Sequence, residues 1–227
     1  MILDSKSLMV IAAHPDDEVL GCGGTLLKLS KTKCKINILF VSDGVSSRKK
    51  KISYNKLIAN RYVCAKKVGK ILSANKIEFL SFPDNALDTV PLINIVKQIE
   101  VKIRKYKPDT VLTHSQHDLN IDHQLVHKSV LTATRPQDLN IIKKIYSFEI
   151  LSSSEWNFSE KSFMANHFVD ISKELKEKLK LMKNYSSELK KWPHPRSLKG
   201  IENLSRYRGQ GVGIDAAEAF SLIRSFE

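Results

Sequence analysis

The chain has 227 residues, of which 37 are Lys or Arg and 24 are Asp or Glu, and its formal net charge is +13. This length suits one α/β domain with a substantial core, and a hydrophobic content of 42% excludes an intrinsically disordered chain. With 9 Gly and 7 Pro, collagen-like and low-complexity classes are excluded as well.

The positive charge is spread along the sequence, and its one run, at residues 48–51, is short. We therefore expect a lysine-rich surface and no nucleic-acid partner, with an anionic small substrate as an alternative explanation. No apolar stretch approaches the roughly 20 residues that cross a bilayer, so stable membrane insertion is not expected. Three cysteines without CxxC spacing fit a reducing compartment, and the cytoplasm is the expected location.

Apolar runs of strand length alternate with segments of helical spacing. The first run is continuously apolar, which is typical of a central parallel strand buried on both faces. The alternation predicts an α/β fold, a Rossmann-like, mostly parallel sheet with helices on both faces, in a single domain over residues 1–227. The predicted strands are 8–13, 36–41, 77–82, 110–113, 145–150 and 167–171. A helix is predicted from about Thr25, after a glycine-rich stretch, and an amphipathic helix over 172–192.

Two polar clusters follow two of the predicted strands. Residues 14–18 read HPDDE, and residues 114–123 read HSQHDLNIDH. The carboxyl ends of parallel strands carry ligand-binding loops, and a catalytic divalent ion prefers imidazole and carboxylate ligands with one position open. We therefore predict a metal site formed by His14, Asp17 and a later histidine, with Asp16 as an ionised base. The alternative is that His14 and Asp17 only cap the following helix.

These motifs resemble those of the LmbE-like, or PIG-L, deacetylases. The resemblance begins with AHPDDE at 13–18 and DLNIDH at 118–123, and it continues in the same order through FPD at 82–84, KPD at 107–109, HPRS at 194–197 and AEAF at 217–220. It therefore covers nearly the whole chain. It implies an LmbE-like fold and a hydrolase that removes the acetyl group from an N-acetylated amino sugar, in a saccharide conjugate or a nucleotide-activated sugar.

The resemblance also assigns roles to residues. It implies that His14, Asp17 and His123 are zinc ligands and that Asp16 is the general base, which accepts a proton from an activated water and passes it to the leaving amine. Ferrous iron is an alternative ion, because mixed nitrogen and oxygen ligation accepts both metals.

The second motif departs from the family pattern at one position. Many relatives read HPDH there, and the first histidine helps to stabilise the oxyanion; this chain has Asn120 instead. An amide donates a hydrogen bond but supplies no proton or positive charge. We therefore expect Asn120 to share this duty with His194, and Asp122 to orient an imidazole or to hold Asn120.

Four residues are candidates for substrate contact because sugar hydroxyls pair well with carboxylate and guanidinium groups: Asp43, Arg61, Asp84 and Arg196. Each is equally an ordinary salt-bridge or capping residue. Position 64 is Cys, where relatives tend to carry Glu, so an Arg61–Glu pair is not expected there. Substrate specificity is expected in residues 44–60 and 152–166, and the sequence specifies no oligomeric state.

Three other functions fit parts of the sequence. Non-haem iron oxygenases use His-x-Asp on an all-β scaffold, whereas this chain has His-x-x-Asp in an α/β pattern. A dinucleotide-binding oxidoreductase would need the G-x-G-x-x-G fingerprint, and two aspartates here would lie where the pyrophosphate binds. A non-catalytic carbohydrate- or nucleic-acid-binding module stays open as an alternative, although the intact Asp16 favours an enzyme.

Overall fold

Strands and helices alternate along most of the chain. A computed structural model describes residues 1–45, 53–136, 142–158 and 161–227. The strands are β1 (Ser7–Ala12), β2 (Lys35–Ser42), β3 (Lys76–Phe82), β4 (Thr110–His114), β5 (Lys144–Phe148), β6 (His167–Asp170) and β7 (Ala217–Ser225). The α-helices are α1 (Asp17–Leu29), α2 (Tyr54–Ile71), α3 (Leu92–Tyr106), α4 (Ile121–Ala133), α5 (Leu175–Met182) and α6 (Leu198–Gln210).

The strands form one sheet in the order β3-β2-β1-β4-β5-β7-β6. The first five strands run parallel, and β7 runs antiparallel to both β5 and β6. The predicted mostly parallel α/β sheet is therefore confirmed. Chain order reverses where β1 lies between β2 and β4, and this is where open α/β sheets leave a crevice for ligands.

Strand β1 lies between two hydrophobic cores. Leu8, Val10 and Ala12 pack with buried side chains of α1, α2, α5 and α6 on one face. Met9 and Ile11 pack with those of α3 and α4 on the other face. This arrangement explains why the strand is apolar at every position, and it confirms helices on both faces.

Helix α1 differs from the sequence prediction because it begins at Asp17 and not near Thr25. It is broken at Cys22, where φ is −147° and ψ is 19°. Glu218 of β7 caps the second half, since its carboxylate accepts hydrogen bonds from the N–H groups of Gly24 (2.8 Å) and Thr25 (2.7 Å). The prediction therefore found the start of the second half and missed the first turn, which carries the polar motif.

A close approach of Ile171 explains one of the glycines inside α1. A Cβ atom at Gly24 would lie 2.7 Å from Cγ2 of Ile171. Lys178 of α5 connects the two halves of α1. Its ammonium group pairs with Glu218, which caps the second half, at 2.7 Å, and it donates a hydrogen bond to the carbonyl of Leu20 in the first half at 2.9 Å. The break in α1 is thus fixed by a buried ion pair.

Two further predictions differ from the structure. Strand β7 was not among the predicted strands, since only its first four residues are uniformly buried and polar residues follow. The predicted 172–192 helix is wrong beyond Met182, because a 3-10 turn at Lys183–Tyr185 follows and brings Tyr185 into the core. No helix within the described ranges is long and apolar enough to cross a membrane.

A charged cluster joins α3 to β3 at the edge of the sheet opposite the polar motifs. Glu78 accepts hydrogen bonds from Lys102 (2.8 Å), Lys105 (3.2 Å) and the hydroxyl of Tyr106. The hydrogen bond from Lys102 is the largest cause that lowers the pKa of Glu78 from 4.5 to about 2. A carboxyl group with a lowered pKa in the folded state stabilises the protein above its unfolded pKa, and this contribution is lost as the pH falls.

We expect Glu78→Gln to lower the free energy of unfolding by about 1 kcal/mol at pH 7, because the cluster is partly exposed to solvent. The difference from the parent should shrink as the pH falls from 4.5 towards 2. Urea denaturation of both proteins across this pH range measures the difference in the free energy of unfolding. Glu100→Gln, which removes a helical pair with Arg104 at 3.6 Å, is the control and should cost about 0.3 kcal/mol. A Glu78→Gln difference that is constant with pH would contradict the prediction.

Candidate metal centre and active site

The polar motifs meet at the crevice between β1 and β4. His14 follows β1, Asp17 begins α1, and His123 lies in the first turn of α4. The three predicted ligand atoms form a nearly equilateral triangle: His14 Nδ1 lies 3.3 Å from Asp17 Oδ2 and 3.3 Å from His123 Nε2, and Asp17 Oδ2 lies 3.5 Å from His123 Nε2. All three side chains are buried.

This triangle fits a divalent transition-metal ion. Ligand atoms around a tetrahedral ion with bonds of about 2.0–2.1 Å are separated by about 3.4 Å. Among the described residues, no hydrogen-bond donor reaches the buried Oδ1 atom of Asp17. Two imidazole nitrogens and one carboxylate are also the donor set of catalytic zinc sites. His14, Asp17 and His123 therefore form one group that could hold a metal; His14, Asp84 and Asp122 form a second group with its ligand atoms equally close together.

The outer nitrogen of each imidazole faces a carboxylate. Nε2 of His14 lies 3.0 Å from Asp122 and 3.1 Å from Asp84, and Nδ1 of His123 lies 3.1 Å from Asp118. Carboxylates in this position fix the tautomer and orientation of a metal-binding histidine. The structure thus places Asp122 against an imidazole, and Asp84, predicted to contact substrate, lies behind the same ring.

Asp118 has a role that the sequence analysis missed. Its carboxylate accepts hydrogen bonds from the hydroxyls of Ser153 and Ser154, the latter at 2.7 Å, and from the N–H of Asn120 at 2.9 Å. Burial alone would raise the pKa of Asp118, but His123 and the two serines lower it to about 2. Asp118 stands in the DLNIDH motif, yet its serine partners lie over thirty residues away and only the fold reveals them.

We expect Asp118→Asn to weaken metal binding by about 10- to 100-fold, because the neutral amide replaces the charged carboxylate that accepts from His123 and orients its ring. Competition with a chromophoric chelator measures the affinity. Asp109→Asn is the control, since Asp109 also accepts backbone hydrogen bonds, from Lys6 and Ser7, at the opposite edge of the sheet. Equal metal affinity in the two variants would count against the role of Asp118.

Asp16 is fully buried and has an unusual backbone conformation. Its φ is 129°, a value that costs a residue other than glycine about 1–3 kcal/mol. Burial raises the pKa of Asp16, and Arg61 and Arg196 offset part of that rise. Their guanidinium groups lie 3.3 Å from Oδ1 and Oδ2 of Asp16, respectively. The structure therefore places both predicted substrate-binding arginines against the predicted base.

Arg61 has an acidic partner even though position 64 is Cys. Its Nη1 atom pairs with Glu188, a buried residue that follows α5 and the 3-10 turn. Arg61 also lies over the ring of Tyr185, with its Cζ atom 5.9 Å from the ring centre. Arg61 thus forms an Arg–Glu pair after all. The glutamate is residue 188, whereas relatives tend to carry a glutamate at position 64.

The two residues predicted to stabilise an oxyanion are held by different partners. Oδ1 of Asn120 accepts hydrogen bonds from the N–H groups of Asp122 (2.8 Å) and His123 (3.4 Å) and so caps α4. Nδ1 of His194 accepts a hydrogen bond from the N–H of Arg196 at 3.1 Å. Asn120 thus contacts the backbone of the candidate ligand His123, and His194 is connected to Asp16 through Arg196.

Two other polar residues near the crevice have structural contacts. Asp43 accepts a hydrogen bond from the N–H of Val45 at 2.9 Å, as expected for a capping residue after β2. His114 is fully buried and its Nε2 atom accepts a hydrogen bond from the N–H of Ala13 at 2.8 Å. Its ring stacks on that of His123 with 3.9 Å between centroids. His114 therefore supports a predicted ligand by packing.

The two predicted specificity segments are only partly described. Residues 46–52 of the 44–60 segment and residues 159–160 of the 152–166 segment lie outside the described residues. The lysine-rich run at 48–51 lies outside them as well. Within the second segment, Trp156 is 41% exposed and packs edge-on against His194, with 5.6 Å between ring centroids, whereas Phe163 is buried.

Several known proteins with similar sequences or folds are deacetylases. Diacetylchitobiose deacetylase of Thermococcus kodakarensis is 28% identical over 193 residues, which is 82% of this chain and 71% of that protein. The structure of N,N'-diacetylchitobiose deacetylase from Pyrococcus horikoshii matches with a TM-score of 0.76 and 23% identity, over 97% of this chain and 84% of that one.

One solved structure with a similar fold has a different activity: GalB, the 4-carboxy-2-hydroxymuconate hydratase of Pseudomonas putida. It matches with a TM-score of 0.75 and 21% identity over 98% of both chains. At this identity the likeness establishes the fold and not the reaction. The family described as PIG-L, GlcNAc-PI de-N-acetylase, matches residues 9–134, which is more than half of the chain and includes both polar motifs. The chain therefore belongs to the PIG-L family.

Proposed function

We propose that the chain is a metal-dependent hydrolase that removes the N-acetyl group from an N-acetylated amino sugar, in a saccharide conjugate or a nucleotide-activated sugar. The observation that carries this proposal is the cluster of His14, Asp17 and His123, whose ligand atoms lie within 4.8 Å of one another, together with the buried carboxylate of Asp16, the residue that precedes Asp17 in the chain. The deacetylase activity of the relatives supports the same reaction. The proposed partner is a small molecule.

His14, Asp17 and His123 would hold the ion, and Asp118 and Asp122 would keep both imidazoles in the ligating tautomer. A divalent ion held there, zinc or ferrous iron, would polarise the amide carbonyl and lower the pKa of a water molecule. The burial of the ligands excludes competing water from this side of the site.

Asp16 would accept the proton of the attacking water and return it to the nitrogen of the leaving amine. Burial raises the pKa of Asp16 and so makes it a stronger base, while Arg61 and Arg196 favour its ionised form. Arg196, whose side chain is 19% exposed, is the arginine on the solvent side. Its position makes it the residue that would meet a substrate entering towards Asp16.

Negative charge develops on the amide oxygen during attack, and hydrogen-bond donors beside it lower the barrier. Nδ2 of Asn120 donates to Asn85 at 3.1 Å, so this amide is held at the edge of the metal site. Nε2 of His194 carries the ring proton if Nδ1 accepts from Arg196. Both groups therefore have an N–H available for this role.

We expect His194→Ala to lower kcat about 100-fold with little change in KM, because the lost donor acts in the transition state. The double variant that combines His194→Ala with Asn120→His should recover part of the lost rate. Steady-state acetate release measures both. His167→Ala, a partly buried histidine in β6, is the control. If His194→Ala keeps the parent rate, His194 has no part in the mechanism.

Acetate release tests the proposed function itself. The protein is reconstituted with zinc or ferrous iron and supplied with free, phosphorylated and nucleotide-linked N-acetylglucosamine. We expect release from at least one of them, with dependence on the ion. Binding of these sugars without acetate release would instead favour a non-catalytic carbohydrate-binding module.

A further inference from the structure

The strained backbone of Asp16 is held by a buried hydrogen-bond chain. The N–H of Asp16 donates to Oε2 of Glu18 at 2.9 Å, and Oε1 of Glu18 accepts a hydrogen bond from the hydroxyl of Tyr185 at 2.6 Å. Asp16, Glu18 and Tyr185 are all at most 1% exposed. The Tyr185 hydroxyl therefore fixes the carboxylate that holds Asp16 at a φ of 129°.

The same part of the chain reaches the side chain of Asp16 by a second route. Glu188 pairs with Nη1 of Arg61, and Nη2 of Arg61 lies 3.3 Å from Oδ1 of Asp16. The ring of Tyr185 packs against the same guanidinium group. Residues 185 and 188 therefore restrain Asp16 through its backbone N–H and through its carboxylate.

We propose that Tyr185 and Glu188 are positioning residues for Asp16, an inference that rests on the proposed function. Tyr185 reaches Asp16 through Glu18, and Glu188 reaches it through Arg61. Tyr185 and Glu188 both lie outside residues 9–134, the segment that the family matches. Tyr185 is 167 residues away from its partner Glu18 in the sequence. Their role is to keep the base at a fixed place and angle beside Asp17.

The physical reason is the cost of the Asp16 conformation. A residue with a side chain avoids a φ near 129° unless its surroundings hold it there. Without the Tyr185 hydroxyl, the Glu18 carboxylate is free to turn and the N–H of Asp16 loses its fixed acceptor. The Asp16 carboxylate would then shift relative to the metal ligands. Proton transfer is sensitive to such shifts, since a displacement of about 1 Å can cost about 100-fold in rate.

The test uses two variants of the full chain. Tyr185→Phe keeps the ring beside Arg61 and removes only the hydroxyl, and Glu188→Gln keeps the shape and removes the charge. We expect kcat to fall about tenfold in Tyr185→Phe and about threefold in Glu188→Gln, with KM and metal stoichiometry as in the parent. Tyr106→Phe is the control, since it also loses a hydroxyl hydrogen bond, to Glu78, far from Asp16.

A merely structural role would lower the melting temperature and would change kcat only through the amount of folded protein. Rates are therefore normalised to metal-loaded protein. Crystal structures of the parent and Tyr185→Phe give a readout without activity, because we expect Asp16 to leave its positive φ in the variant. Parent-like kcat, or an unchanged Asp16 conformation in the variant, would overturn the inference. If the parent itself releases no acetate, the proposed function fails. The inference is then still tested by the crystal structures, which show whether Asp16 keeps its positive φ in Tyr185→Phe.

Discussion

Asp16→Asn is expected to lower acetate release about a thousandfold while the protein binds its ion as the parent does. The amide has nearly the shape of the carboxylate, and Asn tolerates a positive φ better than most residues do. It cannot accept the proton of the attacking water. Steady-state acetate release and metal stoichiometry, measured on the same sample, test both parts of the prediction.

Asp215 is an exposed aspartate, so Asp215→Asn controls for the general effect of replacing an aspartate by asparagine. If Asp16→Asn turned over at more than a tenth of the parent rate, another group would have to be the base. Loss of the ion from Asp16→Asn would place Asp16 among the ligands, contrary to the geometry in which Arg61 and Arg196 take both of its oxygens.

Asp17→Asn is expected to weaken metal binding by more than about 100-fold and to abolish turnover as a consequence. The amide oxygen can still accept the hydrogen bond that the N–H of His14 donates to Asp17 at 2.8 Å, so the loop should keep its shape. The change removes the only anionic member of the three-residue cluster. Chelator competition measures affinity, and circular dichroism checks the fold.

Asp16→Asn and Asp17→Asn form a matched pair, because the two residues are adjacent and both are fully buried. The first should separate turnover from metal binding, and the second should lose both. Tight metal binding by Asp17→Asn would show that the ion is held elsewhere, and it would remove the basis of the proposed mechanism.

The candidate metal ligands could be located from the sequence because their placement follows from strand ends. A continuously apolar strand must lie mid-sheet, and residues that follow it and a parallel neighbour meet at the same edge. This rule selects His14, Asp17 and a later histidine from local sequence, and the resemblance to the deacetylase family then selects His123. In the structure the three side chains place their nearest ligand atoms within 3.5 Å of one another.

The surroundings of Asp16 could not be predicted, because they depend on how distant loops cross. Arg61 and Arg196 looked like sugar-binding residues, and only the tertiary fold brings them together on one carboxylate. The helical pattern over 172–192 also concealed Tyr185, whose burial ends that helix early. Buried polar partners of this kind leave no periodic signal in the sequence.

The cap on the broken helix α1 has a consequence for the order of folding. Glu218 accepts its hydrogen bond from Gly24 across 194 residues of chain, and α1 begins at the candidate ligand Asp17. A nascent polypeptide emerging from the ribosome would expose both polar motifs long before β7 is synthesised. Contacts of such high sequence separation form late, since closing a long loop costs entropy. Early capture of an ion would therefore occur on a loosely ordered loop, and the rigid geometry would arise only after translation has passed the final strand.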